Sequence, residues 1–196
     1  MLKLGDSRMK NKNMKNAIRN QYAELGVDAY YEQYGSVYQN PHFEYIAQLL
    51  KQNEIQIDYS NVLDLCCGGG EVTMVLQDLG FSETVGCDPF TQTAFEKNTS
   101  KQALSFSFDD IIKGKLTAQY SVVICSFAMH LCPEKQLFSL VDSLYRCTNQ
   151  IVIITPHKRP ELENLQNTAL DFEDFVLTER GKKVRLKSYS PKTIVS

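Results

Sequence analysis

From Asn61 to Pro156 the chain alternates short, β-rich apolar runs with amphipathic stretches, and few folds satisfy that order. NVLDLC reads as a strand and EVTMVLQDLG as a helix closed by Gly80. ETVGCD is a second strand, and TQTAFEKNTSKQ the next helix. LSFSF is a third strand followed by a loop or short helix. YSVVICSF is a fourth strand, EKQLFSLVDSLYRC a helix and QIVIITP a fifth strand. Runs this apolar suit strands covered on both faces, and parallel neighbours need helical crossovers. Near the end FEDFVLTERGKKVRLKSYS differs, because two alternating runs flank a turn containing Gly181, the mark of a hairpin. The expected fold is α/β: a three-layer sandwich with a mostly parallel seven-stranded sheet and a C-terminal antiparallel hairpin.

Residues 1–20 are polar and are expected to form a mobile lead-in. Residues 21–58 are expected to form an N-terminal helical segment, and 59–196 the α/β core of a single domain. Within the second part, NPHFEYIAQLLKQN reads as a helix with Asn40 as N-cap and Pro41 at the first helical position. Phe43, Ile46, Ala47, Leu49 and Leu50 form its inner side. Tyr30, Tyr34 and Tyr38 recur at helical spacing just before it.

A hydrophobic content of 43% over 196 residues is enough for one full core. No window reaches the roughly 20 apolar residues of a membrane span, and the first residues lack a secretory signal pattern. The six cysteines form no C-x-x-C pair, so buried reduced thiols in an intracellular, cytoplasmic protein are expected. Residues 1–20 and 180–196 each carry six Lys/Arg, against one Asp and none. The middle holds nine basic and 22 acidic residues. So acidic a body opposes strong nonspecific binding of nucleic acid.

SNVLDLCCGGGEVT places glycines where a strand meets a helix, which lets a ligand approach bare main chain and unpaired helix N–H groups. Gly68 and Gly70 fit a dinucleotide fingerprint, but Thr73 stands at its third glycine. Asp88 ends the next strand, 18 residues after Gly70, and its two oxygens suit the hydroxyls of a ribose. Asp109 and Asp110 end the third strand, where they could receive an adenine amino group while Ile111 packs on the ring. Asp88 or Asp110 taken alone reads better as a helix cap or loop carboxylate. The series of three strand ends points to one crevice at the carboxyl edge of the sheet.

With these residues in place the chain resembles class I S-adenosylmethionine-dependent methyltransferases. VLDLCCGGG is similar to the family's first motif, with Asp64 as its strand acid, Gly68 and Gly70 as its last two glycines, and Cys66 in place of the first. The resemblance implies a donor site formed by Asp64, Cys66, Cys67, Gly68 and Gly70. Asp88 and Pro89 serve the ribose, Asp110 or alternatively Asp109 the adenine beside Ile111, and Ser126 the lip after the fourth strand. It further implies that Tyr31 or Tyr34 reaches the amino-acid end of the donor from a lid. The expected ligands are S-adenosylmethionine and S-adenosylhomocysteine, with no metal and no membrane. Three separated histidines lack metal-ligand spacing.

His130 in CSFAMHLCP is the candidate acid/base residue, because it follows the fourth strand and titrates near neutrality. The alternative is a histidine tucked under a loop. After the fourth strand stands Ser126–Phe127–Ala128–Met129 rather than the N/D-P-P-Y/F of many amine methyltransferases. Cys132–Pro133 reverses the nucleophile order of RNA cytosine enzymes, and no paired glutamates of arginine enzymes are visible. The apolar lip of Phe127, Met129 and Leu131 favours a small-molecule acceptor and leaves protein or RNA open. Two rival readings share the crevice: a noncatalytic S-adenosylmethionine-binding protein and a nicotinamide oxidoreductase.

Overall fold

The apolar runs pair into one seven-stranded sheet of order β3-β2-β1-β4-β5-β7-β6. The computed structural model describes residues 42–192. The strands are β1 (Val62–Leu65), β2 (Thr84–Cys87), β3 (Ala103–Leu104), β4 (Val122–Ser126), β5 (Ile151–Thr155), β6 (Thr168–Leu177) and β7 (Lys183–Pro191). The first five are parallel, while β7 runs antiparallel to both β5 and β6. VVICS and IVIIT are buried at every position, as expected of strands covered on both faces. The register aligns Leu65 with Cys87 and Cys125, and Ser126 with Ile154. The carboxyl ends of four strands therefore meet at one edge.

Helices α1 (Phe43–Gln52), α2 (Glu71–Asp78), α3 (Gln92–Thr99), α4 (Phe108–Ile112) and α5 (Glu134–Tyr145) form the outer layers. Ile46, Leu49 and Leu50 of α1 join Val72, Val75 and Leu76 of α2 against Val62, Ile124, Val152 and Leu186. Each such side chain contributes about 1.5–3 kcal/mol by leaving water. The other face packs Leu137, Leu140, Val141 and Leu144 of α5 on Leu63, Val123 and Ile153.

Two expectations are corrected. Helix α1 starts at Phe43 with His42 as N-cap, not at Pro41; Asn40 and Pro41 lie outside the described residues. The third strand stops at Leu104, because Phe108 already opens α4. The Ser107 hydroxyl accepts from the Asp110 N–H (3.2 Å), and the Asp110 carboxylate accepts from the Ser107 N–H (3.0 Å). That reciprocal box fixes a helix start where alternation suggested more strand. All six cysteines are free thiols, five of them buried.

Gly86 in β2 has a packing reason to be glycine. A Cβ there would lie 2.5 Å from the ring of Phe95, which is fully buried. Gly86→Ala is predicted to cost about 1–3 kcal/mol by overpacking. In urea unfolding, Gly86→Ala combined with Phe95→Leu should lose less than the sum of the single changes. Strictly additive losses would show that the two do not meet.

Candidate functional site

The chain leaves β1 through a turn that only a few backbone conformations allow. Cys66 and Gly68 both have φ of 55°, and Gly70 has φ of 89° as N-cap of α2. For a cysteine the left-handed region is uncommon and strained. The turn is held by the Cys87 carbonyl, which accepts from the N–H groups of Cys66 (2.7 Å) and Cys67 (3.3 Å), and by the Gly70 N–H on the Cys67 carbonyl (2.8 Å). Gly70 is bare for packing: a side chain there would strike Thr99 and Phe95 of α3.

Asp88 follows β2 and ties the turn to the next element. Its Oδ1 accepts from the N–H groups of Phe90 (2.8 Å) and Thr91 (3.1 Å), just before α3, and its carboxylate also accepts from the Gly68 N–H. Burial pushes the Asp88 carboxyl up, and these donors pull it back. Asp64 lies underneath, fully buried, with Oδ2 accepting from the Thr73 hydroxyl (2.8 Å) and N–H (3.2 Å). Burial, against the pull of Thr73 and with help from Glu71 and Asp88, raises its carboxyl to about 8. Thr73 is thus the clasp between α2 and β1 at the place of the fingerprint's third glycine.

Above the turn is a cavity of about 590 Å³, within the roughly 300–1,000 Å³ usual for small-molecule sites. Of the expected residues, Cys66, Gly68, Asp88, Pro89, Asp109 and Ser126 line it. Others lie elsewhere. Asp64 and Cys67 are buried, and Ile111 belongs to the core. Asp110 is taken up by Ser107 and by Lys115 at 2.6 Å, which holds its carboxyl low. Tyr31 and Tyr34 lie outside the described residues. Phe127 and Leu131 of the expected apolar lip also line the cavity, and Glu71, Phe90, Phe106, Phe108 and Gln136 join the wall without having been expected from sequence. The Gln136 side chain donates to Asp109 (3.1 Å), joining α5 to α4 across the wall. Among the described residues the cavity wall carries three carboxylates, Glu71, Asp88 and Asp109, and no Lys, Arg or His.

Phe127 is the second strained wall residue, with φ of 57° immediately after β4. Its N–H donates to the Ile154 carbonyl (2.7 Å), and its ring stacks on His42 at 4.8 Å. A 3₁₀ turn, Met129–Leu131, follows. Leu131 and Pro133 form a partition, lining this cavity on one side and a second cavity of about 560 Å³ on the other. His130 faces the second cavity with Arg159, Glu161 and Asn164. Its ring lies 4.5 Å from that of His157, and partial burial together with His157 holds its pKa below the ordinary value. The far wall is pinned from outside. Glu163 accepts from Lys187 Nζ (2.7 Å) and the Tyr189 hydroxyl (2.8 Å), fixing the 3₁₀ turn Leu162–Asn164 to β7. Among the described residues no group of three or more His, Cys, Asp or Glu is placed to hold a metal ion, and no helix is long and apolar enough to cross a membrane.

Residues 62–150 match the family model described as a methyltransferase domain. An uncharacterized protein of Schizosaccharomyces pombe is 31% identical over 192 residues, covering 75% of this chain and 77% of that one. Magnesium protoporphyrin IX methyltransferase from Synechocystis, crystallised with bound S-adenosylmethionine, superposes with a TM-score of 0.57 at 16% identity, covering 90% of this chain and 96% of its own. The ribosomal protein L11 methylase of Lactobacillus delbrueckii subsp. bulgaricus gives 0.57 at 17% identity, covering 80% and 81%. Seven strands in this order, a glycine turn answered by a strand-end acid, and these matches lead to one conclusion: the chain belongs to the class I methyltransferase family.

Proposed function

We propose that the chain transfers a methyl group from S-adenosylmethionine to a small-molecule acceptor, with the donor in the first cavity and the acceptor in the second. The observation that carries this reading is the 590 Å³ cavity in which the Gly68 main chain and the Asp88 carboxylate share one wall. A carboxylate has about four lone-pair sites, so Asp88 keeps acceptor capacity for a ribose hydroxyl after binding three backbone N–H groups. Phe90, Phe106 and Phe108 offer apolar faces to a purine, and Asp109 an acceptor for its amino group. Asp109 is paired with Lys113 (3.7 Å), and on the described wall the Asp88 carboxylate favours a ligand carrying positive charge.

When bound, S-adenosylmethionine supplies a methyl group on a cationic sulfur that a nucleophile can take in one in-line displacement. The residues mainly align the partners and exclude water. Leu131 and Pro133 bring the two cavities wall to wall, so a nucleophile can be presented without a long path. Partial burial and His157 hold the His130 pKa below its ordinary value, which favours the neutral form that accepts a proton from the acceptor. Free thiols throughout support an intracellular, reducing setting.

Calorimetric titration of the full chain with S-adenosylmethionine and S-adenosylhomocysteine should give saturable binding of both, weakened at least tenfold by Asp88→Ala. Unchanged affinity would remove Asp88 from the site. Tight binding of NAD with neither adenosyl ligand bound would favour an oxidoreductase. Donor binding with no turnover of any acceptor would favour a noncatalytic binding protein. Once an acceptor is in hand, the rate should climb with pH through a pKa below the usual 6.5 of histidine and then level off. His130→Gln should abolish that limb and lower kcat by about 10²-fold or more, leaving donor affinity unchanged. A His130→Gln enzyme with the same profile and rate would exclude the base role.

A further inference from the structure

The carboxyl edge of the sheet is divided by charge. On the β1–β3 side the first cavity presents Glu71, Asp88 and Asp109. On the other side Thr155, the last residue of β5, pairs with Arg185 of β7, and Leu177 of β6 pairs with Lys183. The turn joining β6 to β7 therefore projects from the same edge as the loop after β5. Together residues 156–160 and 177–185 carry Lys158, Arg159, Arg180, Lys182, Lys183 and Arg185 against one acid, Glu179. Arg185 is paired with Glu173 (3.1 Å), and Lys183 sits over the Phe175 ring (3.6 Å). Among the described residues Arg159 has no ion-pair partner, and it lines the second cavity beside His130.

Arg159 presents five N–H donors in a planar fork suited to carboxylate or phosphate. Two acids share its cavity. Glu161 already accepts from Asn164 (3.3 Å), and Glu134 lies in the first turn of α5, where the helix dipole offsets its charge. From this juxtaposition we propose that the methyl acceptor is a small molecule carrying a carboxylate or phosphate group, bound through Arg159 in the second cavity under the positive field of the β6–β7 turn. The proposal rests on the methyltransferase reading for the word acceptor, but anion binding at Arg159 is measurable without it. The two cavities then hold ligands of opposite charge on either side of Leu131 and Pro133. That arrangement keeps each ligand out of the other's place.

The test is calorimetric titration of the full chain with citrate and, separately, inorganic pyrophosphate, with and without saturating S-adenosylhomocysteine. At least one probe should bind saturably at one site, and which one binds identifies the anion as carboxylate or phosphate. Arg159→Gln should weaken that binding at least tenfold, and Lys183→Gln by about threefold. Arg159→Lys should retain part of it. Lys51→Gln, on α1, should leave it unchanged, and none of these variants should alter the affinity for S-adenosylhomocysteine. Absence of saturable binding to the unaltered chain, or equal affinity in Arg159→Gln, would overturn the proposal. If S-adenosylhomocysteine itself fails to bind, the donor assignment falls, and the titration without it still decides the anion site.

Discussion

The site depends on how the chain leaves β1. Three residues between Leu65 and α2 have positive φ, one of them a cysteine, and such a turn persists only when its surroundings hold it. The Cys87 carbonyl grips it from β2, Asp88 reaches back to the Gly68 N–H, and Asp64 clasps Thr73 at the start of α2. Each tie joins the end of one strand to the beginning of another element. The glycine turn in the wall of the first cavity is therefore held by backbone hydrogen bonds and by two buried carboxylates. Asp88 does two jobs at once: it steadies the turn and lines the cavity.

The second cavity is built by different means. Its near wall is the 3₁₀ turn after β4, and Phe127 enters that turn in a strained conformation braced by the Ile154 carbonyl and the His42 ring. Its far wall is held by Glu163, whose carboxylate takes both Lys187 and Tyr189 of the antiparallel strand β7. Lys187 is nearly buried, at 7% exposure, and removing Glu163 would leave its charge, among the described residues, with only the Glu173 carboxylate at 4.0 Å. The hairpin that closes the sheet thus also holds the far wall of the second cavity.

Much of this was legible in the sequence. Alternating apolar runs gave the sheet and its flanking helices, and Gly181 marked the hairpin turn. Asp88 stood out only within a series, because an acid ending one strand reads alone as a helix cap, whereas three strand ends in a row point to one crevice. What stayed hidden required contacts distant along the chain. Gly70 looked like room for a ligand, yet Phe95 and Thr99, about 25 residues on, occupy the space. The alternation in LSFSF looked like strand, so Phe106 and Phe108 were not placed on the cavity wall. The capping signal Ser107-x-x-Asp110 lay in plain view but was outweighed by period-two hydrophobicity. The His130–His157 contact joins loops from two strands, and no local pattern announces it.

The most direct measurement is a crystal structure of the full chain grown with S-adenosylhomocysteine. The account requires the nucleoside in the first cavity, its ribose hydroxyls within hydrogen-bond distance of the Asp88 carboxylate and its amino-acid portion along the Gly68 turn. A ligand bound elsewhere, or a first cavity left empty while Asp88 keeps only its backbone partners, would contradict it.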